Sequence, residues 1–165
     1  MGSEFLKGAN AAGVAISLKH FPGDGCDERD QHIVTSINDL TVEEWDESFG
    51  KVYQSLINQG AKTVMVGHIA QPAYVEALNS SASAKEQLLP ATLSKELLTG
   101  LLREKLNFNG LIVTDATLML GYNCAMNRKE ALPASINAGC DMILFNKNIE
   151  EDVIILKNAV EKGIL

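Results

Sequence analysis

Four short apolar runs rich in β-branched residues, Val14–Leu18, Thr63–Val66, Leu111–Thr114 and Met142–Phe145, are spaced along 165 residues with helical patterns between them. Each run is nearly continuous in its apolar character and does not alternate, the pattern of strands covered on both faces. Glycines precede them at Gly13, Gly60, Gly110 and Gly139. Thr41–Glu44 reads as a capping box, with Thr41 as N-cap and Glu44 three residues on, ahead of Trp45, Phe49, Val52 and Leu56 at helical spacing. Ser94 caps a second helix from Lys95 to Leu106, where Leu97, Leu98, Leu101, Leu102 and Leu106 form a stripe. A third helix stops at Gly139 and opens at Asn127 or at Leu132. Pro133 favours the later start, because proline inside a helix removes a hydrogen bond and crowds the preceding turn. The last helix, Glu150 to Lys162, points Val153, Ile154, Leu156 and Val160 inward. The segment from Ala70 to Thr92, rich in Ser, Ala and Asn, reads as a long βα connection lying over the active face.

Strand then helix, four times over, predicts an α/β chain with a parallel sheet. Two architectures fit: half of a (β/α)8 TIM-like barrel, since a whole one takes about 250 residues, or a doubly wound open sheet. Residues 1–5, MGSEF, read as a cloning scar, leaving residues 6–165 as one α/β domain. The natural N-terminus, with any signal or lipid anchor, is expected to lie outside the chain.

Charge narrows the partners. A net charge of −7 opposes nucleic acid and anionic membrane surfaces as general partners. No apolar run approaches the roughly 20 residues that span a bilayer. Cys26, Cys124 and Cys140 are odd in number and share no CxxC spacing, which suits reduced thiols of a cytoplasmic chain and not a zinc site or disulfide frame. No cofactor or metal is implied. The acid-rich loop after Gly23 lacks the Asp-x-Asp-x-Asp-Gly series of a calcium site.

Every predicted strand ends on a polar group: Lys19–His20, His68, Asp115 and Asn146. In parallel α/β folds the βα loops converge at that end, and catalytic groups gather there. For His68 and Asn146 a buried strand simply stopping is explanation enough, and His68 stays a secondary candidate. The stretch KHFPGDGCDERDQH, residues 19 to 32, says more, because it holds two of the chain's three histidines among dense acids. It is either a solvated charged loop, bent by Pro22 and Gly23, or the seat of chemistry.

Lys19–Gly23, then Asp30, Gln31 and His32, resemble the glycoside hydrolase family 3 β-N-acetylglucosaminidases (β-N-acetylhexosaminidases). Pro90–Ser94, Leu102–Arg103, Phe108–Asp115 with Met119 and Gly121, and Ala138–Leu144 are similar to the same family in the same order. The resemblance runs from about Leu6 to the end and implies the second half of a TIM-like catalytic barrel. It implies a retaining enzyme that removes terminal β-linked N-acetylglucosamine or N-acetylhexosamine from cell-wall or chitin saccharides. Asp115 falls on the family's nucleophile, His32 on its acid/base and Asp30 on the partner that orients that histidine. Lys19 and His20 fall on its sugar-hydroxyl ligands. Some relatives use phosphate in place of water. Asp24 stands where the family usually carries a histidine between the loop glycines; as a carboxylate it is a second candidate acid/base, ranked behind His32.

The chemistry agrees with the resemblance. Retaining glycosidases need a nucleophile and a proton donor on opposite sides of the scissile bond, and the donor is usually a second carboxylic acid. A histidine titrates near neutrality, so it can protonate a leaving oxygen and later take a proton from water. Asp30 can hold the other ring N–H and orient the imidazole. The rival reading is a non-catalytic module that binds a small molecule or a partner through Lys19, His20 and Asp115. The enzyme reading requires those three to share one hollow; the module does not. Half a barrel alone is expected to be inactive, and its open sheet edges invite homo-oligomers.

Overall fold

The computed structural model describes residues 1–165. In chain order it contains α1 (Gly2–Ala11), β1 (Ser17–Phe21), β2 (Ser36–Ile37) and α2 (Val42–Trp45), which runs through a π-helical turn, Asp46–Gly50, into α3 (Lys51–Asn58). β3 (Thr63–Val66), β4 (Ile69–Ala70), α4 (Pro72–Leu78) and α5 (Ala84–Gln87) lead to a π-helix at Glu96–Lys105. β5 (Leu111–Ala116), α6 (Leu120–Asn123), α7 (Arg128–Ala138), β6 (Met142–Leu144) and α8 (Ile149–Glu161) complete the chain.

β1, β3, β5 and β6 form one parallel sheet in that order, and β2 and β4 pair in a parallel two-stranded ribbon. Strand order separates the two predicted architectures. A doubly wound sheet reverses direction at a switch point; here each strand is added to the same side of its predecessor, as in an arc of a barrel. Right-handed crossovers in one direction put all the helices on one face. Val64, Val66 and Ile112 on that face are fully buried. The other face keeps Leu111 at 37% and Met142 at 48% exposure. The strands are therefore covered fully on one face and only in part on the other, where Val113 is buried but Leu111 and Met142 are not, because a four-strand arc cannot close on itself.

Several local expectations are met. The Thr41 hydroxyl accepts from the Glu44 N–H at 3.2 Å, and the Glu44 carboxylate accepts from the Thr41 N–H at 2.9 Å. Ser94 Oγ accepts from the Leu97 N–H, and Leu97, Leu98, Leu101 and Leu102 are fully buried. At the opposite end of the sheet from the strand-end polar residues, Arg103 donates to the Phe108 and Gly110 carbonyls and to Asp141 at 2.7 Å, tying the π-helix to the starts of β5 and β6.

Other expectations fail for identifiable reasons. β1 starts at Ser17, since pairing begins with Ser17 opposite Thr63; Val14 lies before it, 56% exposed. The Ala70–Thr92 connection carries α4, whose buried Tyr74 packs edge-on against Trp45 at 5.1 Å in the helical layer and not over the strand ends. α7 opens at Asn127 and runs through Pro133. The Asn127 side chain accepts from the Glu130 N–H, and burial of Ala131, Leu132, Ser135 and Ala138 offsets the one hydrogen bond that proline forgoes. In α8, Val153, Ile154 and Val160 point outward at 58%, 56% and 60% exposure, and Leu156 is only half buried. Asp152 sets that rotation: its carboxylate is buried and receives Arg128 Nε at 2.7 Å, Nη2 at 2.6 Å and Asn146 Nδ2 at 3.0 Å.

The core holds the strand ends in place. Phe21 lies edge-on to Trp45 and Tyr53 at 6.2 and 5.2 Å, and Trp45 Nε1 donates to the Pro22 carbonyl at 2.7 Å. Trp45→Phe keeps an aromatic ring but removes the pyrrole part of the indole with its N–H, leaving the Pro22 carbonyl unpaired. It is expected to cost about 1–3 kcal/mol, checked by denaturant unfolding with amide exchange read across residues 19–23.

Candidate active site

β1 delivers Lys19 and His20 to the rim, and the chain then turns through Pro22 and Gly23. Gly23 has φ +136°, and a Cβ there would lie 2.4 Å from the Phe49 ring, so the turn requires glycine. The turn carries Asp24 back toward β1, where its Oδ2 receives His20 Nδ1 at 2.5 Å. A carboxylate only accepts, so Nδ1 bears the hydrogen and Nε2 is aimed at Asp115, 3.6 Å from its Oδ2. Asp115, at the end of β5, accepts the Ala116 N–H through Oδ1 at 2.7 Å, which leaves Oδ2 facing the hollow.

The loop between β1 and β2 is pinned at Asp27. That carboxylate accepts from the Ile37 N–H at 2.8 Å and from the Arg29 backbone and guanidinium, and the Arg29 hydrogen bonds hold it far below the usual carboxylate range. Asp30 Oδ1 accepts from the His32 N–H at 2.9 Å and pairs with His32 Nδ1 at 2.7 Å. The His32 amide first, and then its ring, keep Asp30 below its ordinary pKa. With Nδ1 so committed, Nε2 is the uncommitted ring nitrogen of a side chain 74% exposed.

These groups meet. Lys19, His20, Asp24, Asp30, His32 and Asp115 line one hollow of about 410 Å³, together with Arg29, Gln31 and Met119. The enzyme reading required this convergence at the carboxyl ends of β1 and β5. A larger, mostly apolar cavity of about 670 Å³ lies beside β1 among Phe5, Ile16, Phe49, Val52 and Leu56; it shares Lys19, His20 and Asp24 with the hollow but lacks Asp30, His32 and Asp115. Arg29 and Gln31 were not singled out by sequence, since a guanidinium in an acidic loop and an amide between two candidate residues look like solvated surface.

His68 does not line the hollow. Fully buried, it is set between the Thr92 hydroxyl at 3.1 Å and the Ala116 carbonyl at 3.0 Å. The carbonyl can only accept, so Nε2 bears the hydrogen, and burial drives the ring's pKa down. His68 braces the backbone that follows Asp115. Asn146 is likewise structural, spent on Asp152.

Residues 1–165 match the family described as Glycosyl hydrolase family 3 N terminal domain. A beta-N-acetylglucosaminidase/beta-glucosidase of Cellulomonas fimi is 49% identical over all 165 residues, which span 29% of its length. A beta-hexosaminidase of Haemophilus influenzae (strain Rd) is 34% identical over 158 residues, covering 96% of this chain and 42% of its own. Among solved structures, the beta-glucoside phosphorylase BglX superposes with a TM-score of 0.95 at 46% identity, covering 99% of this chain and 29% of that one. A glycoside hydrolase family 3 beta-N-acetylglucosaminidase from Paenibacillus sp. str. FPU-7 gives a TM-score of 0.86 at 31% identity, over 99% of this chain and 30% of that one. The chain thus spans less than half the length of these relatives.

Proposed function

The chain belongs to glycosyl hydrolase family 3, and from that premise we propose that it forms part of the catalytic barrel of a retaining β-N-acetylhexosaminidase, with terminal β-linked N-acetylglucosamine as the favoured sugar. One observation carries the reading: the strand-end carboxylate Asp115, the Asp30–His32 pair and the cationic Lys19 and His20 line the same hollow. In this reading the Asp115 carboxylate attacks the anomeric carbon while His32 gives its proton to the departing oxygen. His32 then takes a proton from water as the glycosyl–Asp115 bond breaks. Lys19 and His20 hold sugar hydroxyls, and Asp24 orients His20 and is not the acid. A barrel site draws on the loops of all eight strands, so residues beyond this chain supply further sugar contacts. The isolated chain is expected to turn over no glycoside, and the unpaired outer edges of β1 and β6 favour self-association of it.

A second acceptor is favoured by one finding, the 46% identity to a protein named a phosphorylase. A neutral imidazole base repels an incoming phosphate less than a carboxylate would, so release of a sugar 1-phosphate when inorganic phosphate is added distinguishes the two outcomes.

The test compares leaving groups in the full-length protein. His32→Ala is expected to lower kcat/KM for an unactivated disaccharide by about 10²–10⁴-fold. It should affect the glycosylation step of a dinitrophenyl glycoside far less, because that leaving group needs no proton. Equal losses on both substrates would remove His32 from the acid role.

A further inference from the structure

The loop that carries Asp30 and His32 is held down through the residue between them. Gln31 Nε2 donates to Asp24 Oδ1 at 2.6 Å, and Gln31 Oε1 accepts from the His68 N–H at 2.7 Å. Its backbone carbonyl accepts from the Gly121 N–H at 3.1 Å, and the His32 carbonyl accepts from the Leu120 N–H at 3.0 Å. Both sides of the seat are glycine. A Cβ on Gly67 would lie 2.8 Å from Gln31 Oε1, and one on Gly121 would lie 2.5 Å from the Gln31 carbonyl oxygen. Asp24 spends its other oxygen on His20 Nδ1, so a single carboxylate joins the strand-end histidine to the dyad loop.

We propose that Gln31 is a positioning residue, a latch that seats the Asp30–His32 loop over the hollow, with Asp24 and the His68 amide as its two catches. This rests on the glycosidase reading for its kinetic consequence, but not for its structural one. Donor and acceptor are matched at both catches: the amide N–H₂ meets a carboxylate and the amide oxygen meets a backbone N–H. Because the first is charge-assisted, its loss weighs more than that of a neutral bond. With the latch open, His32 swings with its loop, and proton delivery to the leaving oxygen suffers while attack by Asp115 does not.

The experiment uses the full-length protein and Gln31→Glu, which keeps the oxygen facing the His68 N–H and sets a second carboxylate against Asp24. Amide exchange across residues 27–35 should quicken about 10-fold or more, the equilibrium equivalent of one lost charge-assisted bond. In the same variant kcat/KM should fall for an unactivated disaccharide and hold for a dinitrophenyl glycoside. Adding Asp24→Asn rebuilds the catch in reverse: the new amide donates to the new carboxylate, and its oxygen still accepts from His20. Exchange in the double variant should return to within about threefold of the unsubstituted protein, beyond the sum of the single changes. Gly67→Ala, which crowds Gln31 Oε1, should loosen the same segment by an independent route. Exchange unchanged in Gln31→Glu, or a double variant no better than the sum of the singles, would overturn the latch. If exchange follows this pattern in a protein that turns over no glycoside, the latch stands and the glycosidase reading falls.

Discussion

Asp115→Asn in the full-length protein should lower kcat/KM for a chromogenic β-N-acetylglucosaminide by about 10⁴-fold or more, the scale on which loss of a nucleophile is felt. The substitution is nearly isosteric, and the amide oxygen can still accept the Ala116 N–H that Oδ1 takes now, so the end of β5 has no reason to move. What is lost is the anionic oxygen facing the hollow. Two readings separate chemistry from misfolding: amide exchange across residues 111–116 should be unchanged, and a 2-fluoro sugar that labels this segment of the natural protein should leave the variant unlabelled. Retention of more than a tenth of the activity would remove Asp115 from the nucleophile's role.

The second large effect lies in the packing. Arg128 grips both oxygens of Asp152 and also donates to the Thr117 carbonyl and hydroxyl, so it joins α7, α8 and the segment just after β5. Arg128→Met is expected to cost about 3–5 kcal/mol, because it strands a buried carboxylate. The cost depends on pH with a definite sign. Arg128 above all holds the folded Asp152 pKa below its ordinary value. The stabilisation is therefore complete above the unfolded pKa of about 3.9 and is lost as pH falls through the folded value. The gap between natural protein and variant should be widest near neutrality and close below about pH 4, read as protection of the α7 and α8 amides. A gap that stayed constant across that range would mean that Arg128 acts through apolar packing of its stem alone.

The sheet was legible because its strands are written as apolar runs, and the strand-end rule brought Lys19, His20 and Asp115 to one edge before any geometry was known. The Asp30–His32 pair could be proposed only through likeness to a family, since two residues in a charged loop carry no periodicity. What stayed hidden was relational. β2 and β4 are two-residue strands, too short to leave a pattern. The apolar residues of α8 gave the wrong inward face, because one buried ion pair outweighs several valine and isoleucine side chains in fixing rotation. Pro133 lies in a helix that its neighbours hold on both sides. Gln31 matters through Asp24, His68 and two glycines far apart in sequence, and nothing local marks it.

His68 leaves one consequence for kinetics. Both of its ring nitrogens are committed and burial lowers its pKa, so the neutral ring is favoured and the side chain serves as a strut. A loss of activity on replacing it should therefore be read as slackening of the backbone after Asp115, since it contributes no group to the hollow.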